Sequence, residues 1–202
     1  MRHVIARPFL VTIFVLFFIV GNVEASSPAR DQLKASIDSI IQILKDGTLQ
    51  GEANAAHRRA ALREVIYERF DFEKMSQLSL ARHWRDITSA ERQTFVRLFS
   101  RLLEDTYVAK IEAYDDEKVR YVKEQIRDKK AQINTIVVGD DIEIPIDYRM
   151  YAAADGQWRV YDMVVEGVSL VANYRSQFAR ILDSDPFGVL IKQLEEKISA
   201  NS

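Results

Sequence analysis

The 202-residue sequence contains no cysteine, and it is also poor in histidine, proline and glycine. The absence of cysteine excludes disulfide bonds, thiolate metal sites, thiol nucleophiles and a lipid-modified N-terminal cysteine. The 3 histidines have no spacing that is typical of metal ligands. With only 7 glycines, the chain has neither a P-loop nor a dinucleotide-binding motif. We therefore expect no metal and no cofactor.

Long apolar runs are also absent, except for one at the amino terminus. Basic residues precede the apolar run 9–20, and Ala25 follows it at a small-residue cleavage site. This order is typical of a secretory signal peptide, which we predict at residues 1–25. The run is short for a transmembrane helix, which needs about 20 apolar residues, although an uncleaved anchor is the alternative. We expect one exported domain at residues 26–202.

Charge of one sign does not dominate any part of the chain. The sequence has 28 basic and 30 acidic residues, with a formal net charge of −2. There is no basic stripe for nucleic acid and no polybasic patch for anionic lipid headgroups. Hydrophobic residues reach 48% although 29% of residues are charged, which is enough apolar material for a sizeable core.

What the chain does contain is a clear order of helices, then strands, then helices. Helical periodicity and capping signals predict helices at 28–46, 54–67, from 71, from 89 to about 114, 168–182 and 186–199. Alternation and turn signals predict four strands, at 118–126, 131–139, 142–153 and 157–166. This order is typical of an α+β fold, predicted here as a four-stranded curved antiparallel sheet covered by helices.

Residues 158–178 join the last predicted strand to a helix at Gly167. The first half is rich in β-branched and aromatic residues, whereas Val171, Tyr174 and Phe178 share one helical face in the second half. Such a junction can form the corner of a pocket between a sheet and a covering helix. An ordinary packed core needs the same inward stripe, so periodicity alone does not separate a filled corner from a hollow one.

Two strand aspartates are candidates for a catalytic base. Small cone-like isomerases place such an aspartate in an apolar pocket between sheet and helices. Asp147 lies opposite the isoleucine stripe of its strand, and hence points outward. Asp162 is the better candidate because alternation puts it on the same face as Val160 and Val164. A strand aspartate paired with an arginine or a helix end is commoner, so we do not expect an enzyme.

The segment that begins at Asp162 resembles the hallmark of the MlaC family, also called toluene-tolerance auxiliary proteins. It reads DMVVEGVSLVANYRSQF. Similar runs follow the family's order, namely FDFEKM, LARHWR, FVRLFSRLLEDTY and PFGVLIKQLEEK. The resemblance as a whole extends over nearly all of residues 26–202. One departure is Leu80-Ala81-Arg82, where members often carry Ala-Leu-Gly; it affects a helix end and not the centre of the motif.

The resemblance implies a periplasmic lipid carrier that maintains outer-membrane lipid asymmetry. Its apolar cavity, between sheet and helices, would hold the acyl chains of a phospholipid. The implied partners are an outer-membrane lipoprotein–porin complex and an inner-membrane ABC transporter with an MCE-domain subunit. The cargo could also be a hopanoid, because a related branch accompanies hopanoid biosynthesis. A periplasmic scaffold with a filled core and a small-molecule isomerase or hydratase are the alternatives.

The resemblance and the inward stripes together nominate nine residues to line the cavity. They are Phe99, Leu102, Tyr148, Met163, Val165, Val168, Val171, Tyr174 and Phe178. We expect Arg175 near the mouth, where its guanidinium could contact a headgroup phosphate. A salt bridge between Arg175 and Glu166, or a surface position for Arg175, is the alternative.

Overall fold

A computed structural model gives the fold and describes residues 26–114 and 116–201. The predicted signal peptide lies outside these residues. The helices are α1 (Pro28–Lys45), α2 (Ala55–Arg69), α3 (Phe72–Leu80), α4 (Ser89–Glu112), α5 (Leu170–Leu182) and α6 (Phe187–Asn201). Short 3-10 helices occur at Gly47–Leu49, Glu52–Asn54 and Ala81–Arg85. Over the described ranges, every helix is too short or too polar to span a membrane.

One antiparallel sheet follows α4 and completes the α+β fold. Its strands are β1 (Lys118–Arg127), β2 (Lys130–Val138), β3 (Glu143–Ala152), β4 (Trp158–Val165) and β5 (Val168–Ser169). They lie side by side in chain order, so each strand pairs with its neighbour in sequence. Short connections of this kind favour antiparallel hairpins.

The helix boundaries follow from local capping chemistry. Ser27 caps α1, and Pro28 occupies the first turn, where its missing N–H costs no hydrogen bond. The predicted capping box at α4 is confirmed, because the Thr88 hydroxyl accepts from the Glu91 backbone N–H at 3.3 Å. In return the Glu91 carboxylate accepts from the Thr88 backbone N–H at 2.8 Å. These exchanged bonds pair N–H groups that a helix leaves unsatisfied at its start.

The prediction of four strands was wrong, because the chain makes one more hairpin after β4. Glu166 and Gly167 have φ angles of 50° and 81°, and Val165 pairs with Val168 across them. Two-residue hairpin turns of type I′ need positive φ at both central residues. The predicted helix at 168–182 therefore begins only at Leu170. The glycine that we interpreted as an interruption is a hairpin turn.

A β-bulge at Tyr161 divides β4 into two parts with opposite alternation. Met150 pairs with Val160, whereas the adjacent Arg149 pairs with Asp162. Because paired residues point to the same side of a sheet, Val160 and Asp162 lie on opposite faces despite their spacing of two. The expectation that these two residues share a face was wrong. An extra unpaired residue reverses the alternation after it.

Two apolar clusters form the core. The helical cluster joins α3 to α6 with the 3-10 helix between α3 and α4, and it comprises Met75, Leu80, Trp84, Ile87, Phe95, Leu98, Phe99, Leu102, Leu103, Val171, Tyr174, Phe178, Leu190 and Leu194. The sheet cluster packs α1 on the sheet and comprises Ala29, Leu33, Ala131, Ile133, Met150, Trp158 and Val160. Phe70 packs against both clusters. We call the side of the sheet that carries Met150 and Val160 the α1 face.

A buried arginine fastens α1 and α2 to the sheet. The Arg69 guanidinium donates to the Ser36 hydroxyl at 2.9 Å, to the Gln32 side-chain oxygen at 3.0 Å and to the Trp158 carbonyl at 2.6 Å. Burial lowers the pKa of Arg69, which is 5% exposed. These acceptors are neutral, so Arg69 of α2 fixes the position of α1 through directional hydrogen bonds to α1 and to β4.

Candidate functional site

The structure brings together the five predicted lining residues that lie on helices. Phe99 and Leu102 of α4 meet Val171, Tyr174 and Phe178 of α5 inside the helical cluster. The Phe99 ring lies 5.0 Å from that of Tyr174 and 5.4 Å from that of Phe178, nearly perpendicular to both. Edge-to-face contacts of this kind are favourable and fill space. All five side chains are buried, so this part of the predicted lining is closely packed.

Three predicted lining residues of the strands lie together on the α1 face. Tyr148 of β3 is directly opposite Met163 of β4, and Val165 is opposite Ile146. Tyr148 and Ile146 have the same parity as Met150, so the register places all of these side chains on the α1 face. None of the three is fully buried, although β3 and β4 have a strand on each side.

The Tyr148 hydroxyl is desolvated, although its side chain is not fully buried. Burial raises the pKa of its hydroxyl to about 12, yet its side chain keeps part of its accessible surface. Desolvation of this size requires protein on most sides of the group. The remaining exposure requires space next to the ring. Tyr148 is therefore largely enclosed by protein and only partly accessible on the α1 face.

The α1 face is covered at one end and open at the other. Ile133, Met150 and Val160 have no exposed surface because α1 packs on them. Towards the turns that end β2 and β4, the apolar residues Ile144, Ile146 and Val165 are only half-buried. At the turns themselves, Ile142 is 48% exposed and Val168 is 57% exposed. This graded apolar surface, from Tyr148 to Val168, is the candidate site, and we call it the open end of the α1 face.

Arg175 lies away from this open end. Its guanidinium Nε donates to the Leu78 carbonyl at 2.9 Å and so links α5 to α3. With Lys74 and Arg85 it lines a surface depression of about 370 Å³. Within the described ranges, no ion pair joins Arg175 to Glu166. Arg175 therefore lies at the surface, which was one of the alternatives to a position near the mouth of the cavity.

Asp162 is held by three hydrogen-bond donors. The carboxylate accepts from Arg149 Nη1 at 2.9 Å, from the Ser169 hydroxyl at 2.7 Å and from the Val171 backbone N–H at 3.1 Å. The residue is 3% exposed and sits at the start of α5, where a helix favours negative charge. It ties β4 to β3 and to α5. A carboxylate bonded in this way is a structural anchor and is not placed to take a proton from a substrate.

Asp147 has a comparable structural position. It pairs with Val164, which puts Asp147, Asp162 and Val164 on the side of the sheet opposite the α1 face. Its carboxylate accepts from the Gln132 side-chain amide at 3.2 Å. Neither aspartate points to the α1 face. In the described part of the chain, no group of three potential ligand side chains is placed to hold a metal ion.

Two polar residues of β1 were missed by the sequence analysis. A register shift after Tyr121 puts both Tyr121 and Glu124 on the side of the sheet that carries Thr135 and Ile133. The Tyr121 hydroxyl and one Glu124 oxygen are buried without a hydrogen-bond partner among the described residues. Burial also raises the pKa of Tyr121. Simple alternation puts residues three apart on opposite faces, so no sequence signal could have placed Glu124 here.

Comparisons with known proteins agree with this fold. The family model described as MlaC protein matches residues 34–196. The intermembrane phospholipid transport system binding protein MlaC of Haemophilus influenzae is 20% identical over 198 residues, which is 95% of this chain and 92% of that protein. A solved structure of a phospholipid-binding protein from Ralstonia solanacearum, in complex with a phospholipid, matches with a TM-score of 0.79 and 24% identity. That match covers 87% of this chain and 99% of the solved chain.

Proposed function

This chain belongs to the MlaC family, and we propose that it carries a phospholipid whose acyl chains lie against the open end of the α1 face. The observation that carries the proposal is the half-buried apolar surface from Tyr148 to Val168. A monomeric protein seldom leaves such a surface without a use. The match to a solved phospholipid-binding protein supports the choice of ligand.

The free energy of transfer explains why a lipid needs a carrier. Each methylene group moved out of water contributes about 0.8 kcal/mol. Two acyl chains with roughly 30 methylene groups would therefore cost on the order of 20 kcal/mol to expose. Free diffusion of the lipid through an aqueous compartment is negligible at that cost. An apolar recess in a protein lowers it without any covalent step or cofactor.

The predicted lining residues take different parts in this proposal. Tyr148, Met163 and Val165 contact the acyl chains directly, because they lie at the open end of the α1 face. Val168 lies at the rim, where chains enter. A contact between the lipid and Phe99, Leu102, Val171, Tyr174 or Phe178 stays a prediction, because these five side chains are buried in the helical cluster. The headgroup remains in water at the rim. The predicted contact between Arg175 and its phosphate is not part of this proposal, because Arg175 lies beside Leu78 and away from the open end.

The proposed location is the periplasm, reached through a signal peptide that is cleaved before Ser26. The start of α1 supports this position, because its capping residue is Ser27 and the Ser26 hydroxyl bonds to Asp31. Cleavage there leaves both groups on the mature protein. The intact mass of the exported protein checks the site, and a mass that retains residues 1–25 would contradict it.

The proposed partners are those that the family resemblance implies. The carrier exchanges lipid with an outer-membrane lipoprotein–porin complex and with an inner-membrane ABC transporter that bears an MCE-domain subunit. A hopanoid is a second possible cargo, since its fused rings are also apolar and would be shielded in the same recess.

The test is to purify the protein without detergent, denature it and identify lipids in the extract by mass spectrometry. The proposal predicts phospholipid, or hopanoid, in near-stoichiometric amount, and uptake of phospholipid from vesicles by the emptied protein. Repeated absence of lipid together with no uptake would contradict it. Lipid identity in the extract also separates the two cargoes.

A further inference from the structure

A second surface, on the helical part of the molecule, is distinct from the open end of the α1 face. Two depressions of about 890 and 370 Å³ adjoin each other, and Trp84 contributes to both. The larger one follows α4, with α2 on one side and the end of α6 on the other. The smaller one lies between α3 and α5. We call the two together the Trp84 surface.

The Trp84 surface carries more positive than negative charge. Its lining includes seven basic side chains and only two acidic ones, Glu73 and Glu104. Glu104 is already paired with Arg63, and Arg101 is paired with Asp105. The other basic side chains have no carboxylate within 4.0 Å among residues 26–114 and 116–201. They are Lys74, Arg85, Arg92, Arg97 and Arg175.

This local excess contrasts with the charge of the whole chain, which is −2. Charged surfaces of one sign attract partners of the other sign and orient them during encounter. The asymmetry therefore selects an anionic partner for this surface.

Aromatic and arginine side chains occur together on this surface, as they do at the centres of protein interfaces. The Arg92 guanidinium lies over the Trp84 ring at 5.3 Å and donates to the Trp84 carbonyl at 3.1 Å. Tyr67 is 43% exposed beside them. Because Arg92 is held in place by these contacts, little side-chain entropy would be lost when it binds a partner.

The shape of the surface favours a protein segment over a membrane. The larger depression extends along α4 from Ser89 to Glu104. At 1.5 Å per residue this is about 22 Å, or about four helical turns. A concave groove of that length holds a helix or a strand between its walls, whereas a flat bilayer would touch only the rims.

We propose that the Trp84 surface is a docking site for an acidic, amphipathic segment of a partner protein. Carboxylates of the segment would pair with Arg97 and Arg85, and its apolar side chains would pack on Tyr67 and Val96, which also line the larger depression. The inference rests on the surface alone. It does not depend on which lipid, if any, the protein carries.

The probe is a labelled synthetic helix of about 16 residues, with glutamate and leucine on opposite faces, and a copy with lysine in place of glutamate. Binding to the full-length purified protein is measured by fluorescence anisotropy at low salt and at about 0.15 M salt. The test variant is Arg85→Glu with Arg97→Glu, since both side chains are exposed and neither forms a hydrogen bond or an ion pair among the described residues. The matched control is Arg127→Glu with Lys129→Glu in the β1–β2 turn, which changes the net charge equally.

The proposal predicts that the acidic helix binds, that salt weakens it, and that the test variant raises its Kd by about tenfold or more. The control variant and the lysine helix should show no such response. The proposal is overturned if the acidic helix fails to bind at about 1 mM in low salt, or if both variants weaken it equally. Sedimentation with phosphatidylglycerol vesicles that depends on Arg85 and Arg97, without peptide binding, would assign the surface to a membrane and also overturn it.

Discussion

The helical cluster and the α1 face are built from the same kinds of residue, yet they are packed differently. In the helical cluster, Phe95 contacts Phe99 and Phe178 at ring distances of 5.6 and 5.4 Å, and all three rings are buried. On the α1 face, burial falls from Met150, which has no exposed surface, to Val168, which is 57% exposed. Similar apolar residues therefore form both a closely packed core and a partly accessible surface.

This difference in packing predicts which substitutions should lower stability and which should weaken lipid binding. A filled cluster loses dispersion contacts when a ring is removed, so its residues determine the free energy of unfolding. Residues at the open end of the α1 face have fewer contacts to lose. Their substitution should therefore change lipid binding more than it changes the free energy of unfolding. The following predictions test that division, beginning with the largest effect.

Phe99→Ala should destabilise the protein by about 3–5 kcal/mol, because the ring is fully buried and contacts Phe95, Tyr174 and Phe178. The free energy of unfolding is measured by denaturant titration. Val122→Ala is the control, since Val122 is 57% exposed and should lose little. A loss below about 1 kcal/mol for Phe99→Ala would mean that the helical cluster is not filled.

Asp162→Ala should destabilise the protein by about 2–3 kcal/mol, because the carboxylate joins the sheet to α5 through three hydrogen bonds. The expected loss of stability is moderate because the Arg149 side chain is 42% exposed, so water can solvate its guanidinium once the carboxylate is removed. Asp147→Ala, which removes one accepted bond, should cost less. Equal losses for the two variants would show that Asp162 is not the link between the two regions.

Tyr148→Phe should make stability less sensitive to alkali. The folded-state pKa of Tyr148 is raised to about 12 from an ordinary 10, so the unfolded chain releases its proton first. Stability is therefore lost as pH rises from about 10 to 12, and the phenylalanine variant avoids this loss. At about pH 11 the two proteins should differ by about 1 kcal/mol more than at pH 8. Parallel pH profiles would place the Tyr148 hydroxyl in water and not in a desolvated environment.

Gly167→Ala should destabilise the protein by about 1 kcal/mol, because its φ of 81° strains any residue with a Cβ. No atom lies within 4 Å of the added methyl group, so the cost comes from the backbone alone. Gly47→Ala is the matched control, as it has equal space and no positive φ, and it should be neutral or stabilising. Thermal unfolding compares the two. Equal changes in melting temperature for the two variants would contradict the positive φ of Gly167 in the turn between β4 and β5.

Much of the fold could be predicted from the sequence because the relevant signals are local. The Thr88–Glu91 capping box and the alternation of β3 both act within a few residues. The bulges next to Tyr121 and at Tyr161 carry no such signal, because they depend on how two strands pair. Each bulge reverses alternation, which is why Val160 was assigned to the face of Asp162 and why Glu124 was missed.

The candidate site could be predicted only in part, for the same reason. The pairing of Tyr148 with Met163 on one face follows from two alternating strands joined by a hairpin. Whether that face is covered depends on where α1 lies across the sheet, which Arg69 fixes through contacts with residues far away in sequence. The pattern of inward residues is the same for Phe178, which is packed, and for Val165, which is not.

The central claim is that the open end of the α1 face holds acyl chains, and Met163→Trp tests it most directly. The variant, wild type and the control Val122→Trp are purified without detergent, and bound phospholipid is measured by native mass spectrometry. If the recess is open, the added ring fills it at a cost in stability below about 1.5 kcal/mol. Bound lipid should then fall by about tenfold in Met163→Trp and stay unchanged in Val122→Trp. A Met163→Trp protein that keeps its full complement of lipid would contradict the account.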